Sequence, residues 1–122
     1  MKYSVIPQPQ KIEVLSEKTV FTFTNLTEIE SQCKNAKNSL VNFLKEKFEI
    51  DIVGTGKEKV EMKINPELCA AESYTLKVSE NLVEINGKDE EGVFYAVQSL
   101  IQLLICGELS LPGIYIEQFP IF

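Results

Sequence analysis

The sequence predicts an α+β domain in which two helices pack on one face of a mixed, largely antiparallel sheet. Two segments repeat apolar residues at the three- and four-residue spacing of an amphipathic helix, and several others alternate with period two, as strands do. The composition, 44% hydrophobic and 25% charged over 122 residues, is that of one soluble globular domain. A chain of this length buries roughly two-thirds of its unfolded surface, so it needs neither a metal nor disulfides to fold. Residues 1–122 are therefore predicted to form a single domain.

The segments outside the helices are predicted to be short strands, each with one face exposed to solvent. Lys11 to Leu15 and Thr19 to Thr24 are expected to form a hairpin, and Ser79-Glu80-Asn81 is expected to be the loop of a second one. Further strands are expected at Asp51 to Val53 and at Ile114 to Ile116. Alternation of this kind is typical of a sheet that helices cover on one side only. The predicted inward positions are Phe21, Phe23, Val60, Met62, Ile64, Tyr74, Leu76, Val78, Val83 and Ile85.

The first helix is predicted to begin at Thr27. Thr27-x-x-Glu30 matches the capping box, in which two side chains satisfy free N–H groups at a helix start. An apolar stripe then recurs at spacings of three and four residues, and the opposite face is polar. The stripe consists of Ile29, Cys33, Ala36, Leu40, Phe43, Leu44 and Phe48, and the polar face of Lys34, Lys37, Asn38, Lys45 and Glu46.

The second helix is predicted to begin near Asp89 and to end near Gly107. Asp89 is a favourable N-cap residue, and the negative charges of Glu90 and Glu91 suit the positive end of the helix dipole. Glycine is the residue most often found just past a helix. The apolar stripe of this helix is Val93, Ala96, Val97, Leu100, Ile101 and Leu104.

Two short motifs resemble ligand sites but have simpler explanations. Gly54-Thr55-Gly56-Lys57 lacks the spacing of a phosphate-binding loop and is followed by a strand pattern, so a hairpin turn is expected there. Asp89-Glu90-Glu91 has the composition of a calcium site but lacks the alternating oxygen ligands and the glycine of an EF-hand loop. Helix capping accounts for that cluster.

The composition excludes several classes of function. Twelve Lys, no Arg and eighteen acids give a net charge of -6, which argues against nucleic acid or an anionic membrane as partner. No run approaches the ~20 apolar residues of a membrane span. The chain has no His and no Trp, so Ser-His, Cys-His and His-metal chemistry and the best sugar-stacking ring are absent from it. A catalytic carboxylate pair could work without His, but most of the acids fall on predicted polar faces.

Neither the cysteines nor the aromatic residues indicate a site. Cys33, Cys69 and Cys106 include no CxxC pair, and free cysteines are among the residues most often buried. Tyr74, Phe94 and Tyr95 stand beside the apolar stripes and are expected to pack in the core. No residue of this chain is therefore assigned as catalytic, cofactor-binding or metal-ligating, and no cofactor is expected.

Four stretches together resemble the N-terminal domain of bacterial β-N-acetylhexosaminidases of glycoside hydrolase family 20. Residues 5–12 (VIPQPQKI) resemble its "IIPxPxxI" start, and residues 72–78 (ESYTLKV) its "EGYxLxV" strand. Residues 92–104 (GVFYAVQSLIQLL) are similar to its "GxFYGxQTLxQLL" helix, the most specific of the four. Residues 116–122 (IEQFPIF) resemble the "IxDxPxF" link into a catalytic barrel. The departures from the pattern are Ser73, Ala96, Ser99 and Gln118, of which the last stands where an acid is common.

The resemblance implies a zincin-like two-layer domain that precedes a (β/α)8 barrel in the same polypeptide. In that family the barrel hydrolyses terminal non-reducing N-acetylhexosamine residues, with an Asp-Glu pair that assists attack by the substrate's own acetamido oxygen. Residues 112–122 would lead towards that barrel, so this chain alone is expected to be no enzyme. The missing HExxH motif removes any zinc role. The parent protein is expected to be exported, to the periplasm or the cell surface, with a cytoplasmic location as the alternative.

The expected role is structural, with one face packed on the barrel and apolar surface exposed where the barrel is missing. Two alternatives remain open: a carbohydrate-binding module, or the same domain preceding another glycosidase such as an O-GlcNAc hydrolase or an α-glucuronidase. The residues expected to be exposed are Leu109, Leu111, Ile114, Phe119, Ile121 and Phe122.

Overall fold

The computed structural model of the protein describes residues 11–54, 56–68, 72–107 and 109–118. These residues form six strands and two helices, and neither helix is long and apolar enough to cross a membrane. In chain order they are β1 (Lys11–Thr22), β2 (Glu28–Ser31), α1 (Lys34–Phe48), β3 (Lys59–Ile64), β4 (Tyr74–Ser79), β5 (Leu82–Gly87), α2 (Glu90–Gly107) and β6 (Ser110–Gln118).

The six strands form one mixed sheet in the order β1-β6-β4-β5-β3-β2. The pairs β1–β6, β6–β4 and β4–β5 are antiparallel, whereas β5–β3 and β3–β2 are parallel. The β2–β3 pair is parallel because α1 returns the chain between these two strands. The strand β5 lies between β4 and β3 and runs antiparallel to β4, so it is parallel to β3. The predicted α+β class and the mixed, largely antiparallel sheet are confirmed.

The core lies between the sheet and the two helices. Alternate residues of β3, β4 and β5 are buried, and the residues between them are half-buried or exposed on the other face. All six positions of the predicted α2 stripe are buried. Burial of one strand face against helices confirms the one-sided covering that the alternation predicted. The largest fully buried side chains are Tyr74, Phe21, Phe23, Leu40, Leu44, Met62, Leu76, Ile85, Leu100, Leu103, Leu104 and Leu111.

Asp89 joins the start of α2 to the chain before β4. Its Oδ1 accepts a hydrogen bond of 2.8 Å from the N–H of Gly92, and its Oδ2 accepts one of 3.0 Å from the N–H of Glu72. The first bond satisfies a donor that has no partner within the helix. The predicted N-cap is confirmed. The expected C-cap is wrong: Gly107, expected just past the helix, is the last residue of α2.

The backbone of the first turn of α2 lies very close to the backbone at the adjoining ends of β4 and β5. A Cβ added at Gly92 would lie 2.3 Å from the carbonyl oxygen of Ser73, and one added at Gly87 would lie 2.4 Å from the backbone nitrogen of Val93. Only residues without a side chain fit at these two positions. The first turn of α2 is therefore seated directly against the ends of β4 and β5.

The predicted start of the first helix is wrong. Residues Glu28–Ser31 form the edge strand β2, parallel to β3, and α1 begins only after Cys33. Thr27 is fully buried, and its Oγ1 accepts a 3.0 Å hydrogen bond from the N–H of Thr24 rather than capping a helix. Glu30 pairs with Lys59, at 2.9 Å between Oε2 and Nζ. The alternation around Ile29 is that of a strand whose partner lies about thirty residues further along the chain, which local pattern does not reveal.

The predicted hairpin in the first segment is also wrong. Residues 11–22 form one strand, and all its described pairing is to β6, with register shifts between Val14 and Phe21. Such irregularities let a long strand bend without ending. The expected strand at Asp51 to Val53 is not formed; instead the N–H of Val53 donates a 2.7 Å hydrogen bond to the carbonyl of Asn25.

The loop that contains Gly54 joins α1 to β3 and so is not a hairpin turn between strands. Gly54 has a φ of 75°, the left-handed region that glycine adopts without strain. Gly56 donates a 2.6 Å backbone hydrogen bond to Leu26, and Thr55 lies outside the described residues. The hairpin predicted at Ser79-Glu80-Asn81 does form, between β4 and β5, with Asn81 at a φ of 60°.

The expectation of an exposed apolar C-terminal segment is wrong where the structure describes it. Residues 112–118 form most of β6, which is paired on both sides, and Leu111 and Ile114 are fully buried. Leu109 packs partly buried against the core. Residues 119–122 and most of the opening motif, residues 5–12, lie outside the described residues.

Candidate functional site

A groove of about 310 Å³ opens where the first turns of α1 and α2 lie side by side; we call it the α1–α2 groove. Its floor is apolar, one wall is aromatic, and two carboxylates stand on its rim. The lining residues are Cys33, Asn35, Ala36, Glu90, Glu91, Phe94 and Tyr95.

The floor of the groove is formed by Cys33 and Ala36, which are buried. Cys33 occupies the N-cap position of α1 and is held by Ser31, whose Oγ accepts a hydrogen bond from the N–H of Cys33 and donates one to its carbonyl, each 2.9 Å long. Burial raises the pKa of the Cys33 thiol, and the charge of Glu90 raises it further. The thiol is therefore neutral at pH 7 and does not act as a thiolate nucleophile.

The aromatic wall consists of Phe94 and Tyr95. Phe94 is 40% exposed, and the centroid of its ring lies 6.3 Å from that of Tyr95 at an interplanar angle of 66°. The phenol of Tyr95 donates a 3.3 Å hydrogen bond to Oε1 of Glu72. The nearby charge of Glu72 is the largest cause that raises the pKa of Tyr95.

The expected burial of the three aromatic residues is only partly correct. Tyr74 is fully buried, Tyr95 is half-buried, and Phe94 is exposed. Phe94 follows Val93, so it is turned about 100° from the direction in which that residue meets the sheet. The position of Phe94 next to the buried stripe in the sequence suggests that it packs in the core, but its angular position on the helix predicts exposure.

Glu90 and Glu91 form the acidic rim of the groove. Both are exposed in the first turn of α2, where their charge stabilises the positive end of the helix dipole. No lysine within the described ranges forms an ion pair with either of them. Nor does any group of three or more His, Cys, Asp or Glu in the described part of the chain have an arrangement that could hold a metal ion. The rim can attract a cation but provides no metal centre.

The rest of the outer face of α2 carries no charge. The sequence from Gly92 to Gly107 contains no Asp, Glu, Lys or Arg, although Phe94 and Ile105 are 40% and 50% exposed. Cys106 is also exposed, contrary to the expectation for the cysteines; Cys33 is buried as predicted, and Cys69 lies outside the described residues. Surface helices of monomeric domains normally carry charged residues on the face turned to water.

The opposite surface of the molecule, the outer face of the sheet, is charged. Lys59 lies 2.9 Å from Glu30 and 3.5 Å from Glu61, and Lys63 lies 3.5 Å from the other oxygen of Glu61. These partly exposed pairs contribute little to stability individually, but they make the face well solvated. The two faces of the domain therefore differ in character: the sheet face is ionic, and the α2 face is apolar.

Comparison with known proteins identifies the family. The model of glycosyl hydrolase family 20, domain 2, matches residues 2–117. Beta-hexosaminidase B of Pseudoalteromonas piscicida is 29% identical over 119 residues, which are 95% of this chain and 15% of that protein.

Two solved structures share the fold. A glycoside hydrolase family 20 β-N-acetylglucosaminidase has a TM-score of 0.77 at 29% identity, over 98% of this chain and 23% of that one. The exo β-N-acetylglucosaminidase of Vibrio harveyi in complex with N-acetylglucosamine also has a TM-score of 0.77, at 28% identity, over 97% and 19% of the two chains. The chain thus spans less than a quarter of each of these relatives. It belongs to glycosyl hydrolase family 20, as a domain 2 of that family.

Proposed function

We propose that this chain is the non-catalytic accessory domain of a β-N-acetylhexosaminidase and that it braces a (β/α)8 barrel elsewhere in the same polypeptide. The barrel would hydrolyse terminal non-reducing N-acetylhexosamine residues by substrate-assisted catalysis. The proposal is supported by the small share of each relative that this chain spans, 15–23%. Most of each of those proteins lies outside the region that matches this domain.

The outer face of α2 is the surface that we assign to contact with the barrel. Phe94 and Ile105 are exposed on a helix that has no charged residue after Glu91. A helix that is apolar on nearly all sides is normally buried, and exposed apolar patches mark interaction surfaces. This exposed, uncharged helix face is the single observation that carries the proposal. The ion-paired face of the sheet has the opposite character and would remain in water.

The chemistry of the α1–α2 groove supports a non-catalytic role. In most glycoside hydrolases an acid and a nucleophile or base lie on opposite sides of the scissile bond; in substrate-assisted enzymes the acetamido oxygen replaces the nucleophile, but a carboxylic acid must still protonate the leaving group. In the groove, Glu90 and Glu91 are exposed neighbours on one helix turn, and the raised pKa values of Cys33 and Tyr95 keep both groups neutral at pH 7. We therefore expect the isolated domain to be inactive on aryl N-acetylglucosaminides. Turnover above the blank that survives repurification would contradict this expectation.

The assigned contact surface is tested by substitutions in two forms of the protein. Ile105→Lys introduces a charge on the α2 face, and Lys77→Glu is the matched control on the exposed face of the sheet. In the isolated domain we expect both variants to unfold within about 0.5 kcal/mol of the wild type, since exposed substitutions cost little. In the polypeptide that also contains the following domain, Ile105→Lys should lower the melting temperature while Lys77→Glu leaves it unchanged. Equal effects of the two variants in the longer protein would reject the assignment.

The carbohydrate-binding alternative makes the opposite prediction for the isolated domain. Saturable binding of N-acetylglucosamine or chitobiose, measured by calorimetry or NMR, would favour it. The groove does not favour it, because its one exposed ring is Phe94, Tyr95 is half-buried and inclined to that ring by 66°, and the sequence has no Trp. The alternative of a different catalytic domain is tested by the gene sequence after codon 122. An Arg-Gly strand followed by an Arg-His-Phe segment there would support the hexosaminidase.

A further inference from the structure

We infer that the α1–α2 groove is the receptor for an arginine side chain of the neighbouring catalytic domain. The inference rests on the proposed function, because that domain would supply the arginine. It goes further because it assigns one chemical group, a guanidinium, to this groove. Binding of that group can be tested with the isolated domain. Three features of the groove carry it: the apolar floor, the exposed ring of Phe94, and the two rim carboxylates without a described partner.

The floor suits the aliphatic part of an arginine. Cys33 and Ala36 are small, buried and apolar, and they are fixed by the first turn of α1. Long cationic side chains commonly pack their methylene stems along such surfaces and keep the charged head near water. At about 310 Å³, the groove is large enough for one long side chain.

The wall and the rim suit the guanidinium group. Phe94 presents 40% of its surface beside the carboxylates of Glu90 and Glu91. A guanidinium is planar, stacks on aromatic faces and forms paired hydrogen bonds with carboxylates, whereas an ammonium is a compact and strongly hydrated charge. An aromatic ring and two carboxylates at one groove therefore match arginine better than lysine.

The distribution of charge indicates that the cation comes from outside this chain. Glu72 accepts a hydrogen bond from the phenol of Tyr95, and Asp89 accepts hydrogen bonds from two backbone N–H groups. These two acids therefore have partners within the domain. The rim acids Glu90 and Glu91 form no ion pair with a described lysine. The sequence contains no arginine, and its net charge is -6. A basic partner surface is the electrostatic complement of such a domain.

Helix capping explains only part of this arrangement. Asp89 already caps α2, and acids in the first turn stabilise the helix dipole wherever they point. Stabilisation of the dipole does not require an exposed phenylalanine beside the acids or an apolar groove beneath them. The combination of ring, floor and rim is accounted for by a bound cationic side chain.

The test is an NMR titration of the ¹⁵N-labelled domain with N-acetyl-arginine amide, at constant ionic strength. We expect saturable shifts of the amides around Glu90, Glu91 and Phe94 and around Ala36, with a dissociation constant on the order of millimolar. N-acetyl-norleucine amide, which has a similar stem but no charge, should bind at least about fivefold more weakly. N-acetyl-lysine amide with a free ε-ammonium distinguishes a guanidinium site from a site for any cation.

Two double variants provide the matched comparison. Glu90→Gln/Glu91→Gln removes both rim charges and should weaken arginine binding by about fivefold or more. Glu46→Gln/Glu80→Gln removes the same number of charges from exposed positions outside the groove and should leave binding unchanged. Phe94→Leu keeps an apolar side chain and should weaken arginine binding without affecting norleucine.

Each alternative result overturns the inference. Equal shifts from norleucine, equal affinity for the lysine amide, or arginine binding unaffected by Glu90→Gln/Glu91→Gln would each reject an arginine receptor. The titration uses the domain alone, so its result does not depend on the catalytic domain. If arginine binds as expected but Ile105→Lys has no effect in the longer polypeptide, the proposed contact surface fails and the groove stands. If arginine does not bind but Ile105→Lys destabilises the longer polypeptide, the arginine receptor is rejected and the proposed function is retained.

Discussion

The phenol of Tyr74 on β4 and the hydroxyl of Ser99 on α2 hydrogen-bond to each other in the core, where both residues are fully buried. Burial raises the pKa of the Tyr74 phenol, whereas its hydrogen bond to Ser99 acts in the opposite direction. The pair links the centre of the sheet to the helix that covers it. Because neither group reaches water, each depends on the other for a partner.

A double-mutant cycle tests this dependence. Ser99→Ala and Tyr74→Phe should each lower the free energy of unfolding by about 1–3 kcal/mol, since each leaves a buried polar group without its partner. The double variant should cost less than the sum of the two, because no unpaired group then remains. Urea denaturation of the four proteins gives the coupling energy, and strictly additive losses would contradict the buried bond.

The cap formed by Asp89 should contribute more to the free energy of unfolding than its partly exposed position suggests. Asp89→Ala removes acceptors for the N–H groups of both Gly92 and Glu72, so we expect a loss of about 1–2 kcal/mol or more. Asp51→Ala is the control, because the Asp51 carboxylate makes one exposed ion pair, 3.7 Å from Lys45. That variant should change stability by less than about 1 kcal/mol. Thermal or urea unfolding compares the two, and similar losses would indicate that Asp89 does not hold α2.

Gly92 should tolerate no side chain. In Gly92→Ala the new Cβ would lie 2.3 Å from the backbone carbonyl oxygen of Ser73. Because the obstacle is backbone, α2 must shift, and overpacking of this kind costs typically ~1–3 kcal/mol. Gly54→Ala is a useful comparison: its φ of 75° is strained for alanine, but the nearest atom to its Cβ would lie 3.9 Å away. Denaturation midpoints should therefore fall further for Gly92→Ala than for Gly54→Ala, and the reverse order would contradict the close approach.

Ionisation of the Tyr115 phenol should lower the free energy of unfolding at high pH. Burial, together with the acceptor Glu117 at 2.6 Å, raises the pKa of Tyr115 to about 12. An unfolded tyrosine has a pKa of about 10, so the folded state holds this proton more tightly than the unfolded state does. The resulting stabilisation is complete below pH ~10 and is lost as the pH rises towards 12.

The measurement is a set of urea unfolding curves between pH 9 and 12, with phenolate absorbance followed in parallel. Tyr115→Phe should show a shallower loss of stability than the wild type over that range. Glu117→Gln should lower the pKa of Tyr115 but keep it above 10, because burial is the largest cause of the shift. An unchanged slope in Tyr115→Phe would show that other groups govern the alkaline behaviour.

Much of the fold follows from patterns that act over a few residues. Local spacing predicts the α2 helix, its cap at Asp89 and the hairpin around Asn81, and the structure confirms all three. In these elements the residues that set the local conformation also make the decisive contacts. Agreement between local preference and global fold is the usual condition for such success.

The errors arise where a distant partner decides the conformation. Ile29 lies in a strand because β3 lies beside it, and residues 11–22 form a single strand because β6 pairs along their whole length. A polar stretch such as Ser16-Glu17-Lys18 resembles a turn when its partner is not known. Of the candidate site, the acids at Glu90 and Glu91 are visible in the sequence, but the groove is not, because it forms only when α1 and α2 lie together. The absence of charged residues from Gly92 to Gly107 is the feature of the sequence that indicates the exposed face of α2.

The position of β6 has a consequence for biosynthesis. The first described strand, β1, pairs only with the last, β6, among the described elements. While the polypeptide emerges from the ribosome, the backbone of β1 must wait for almost the entire domain to be translated before it finds its neighbour. Contacts so far apart in sequence slow folding and leave an unprotected edge in the nascent chain. A polypeptide that ends before Ser110 would therefore lack β6, so β1 would have no strand to pair with and β4 would have an exposed edge.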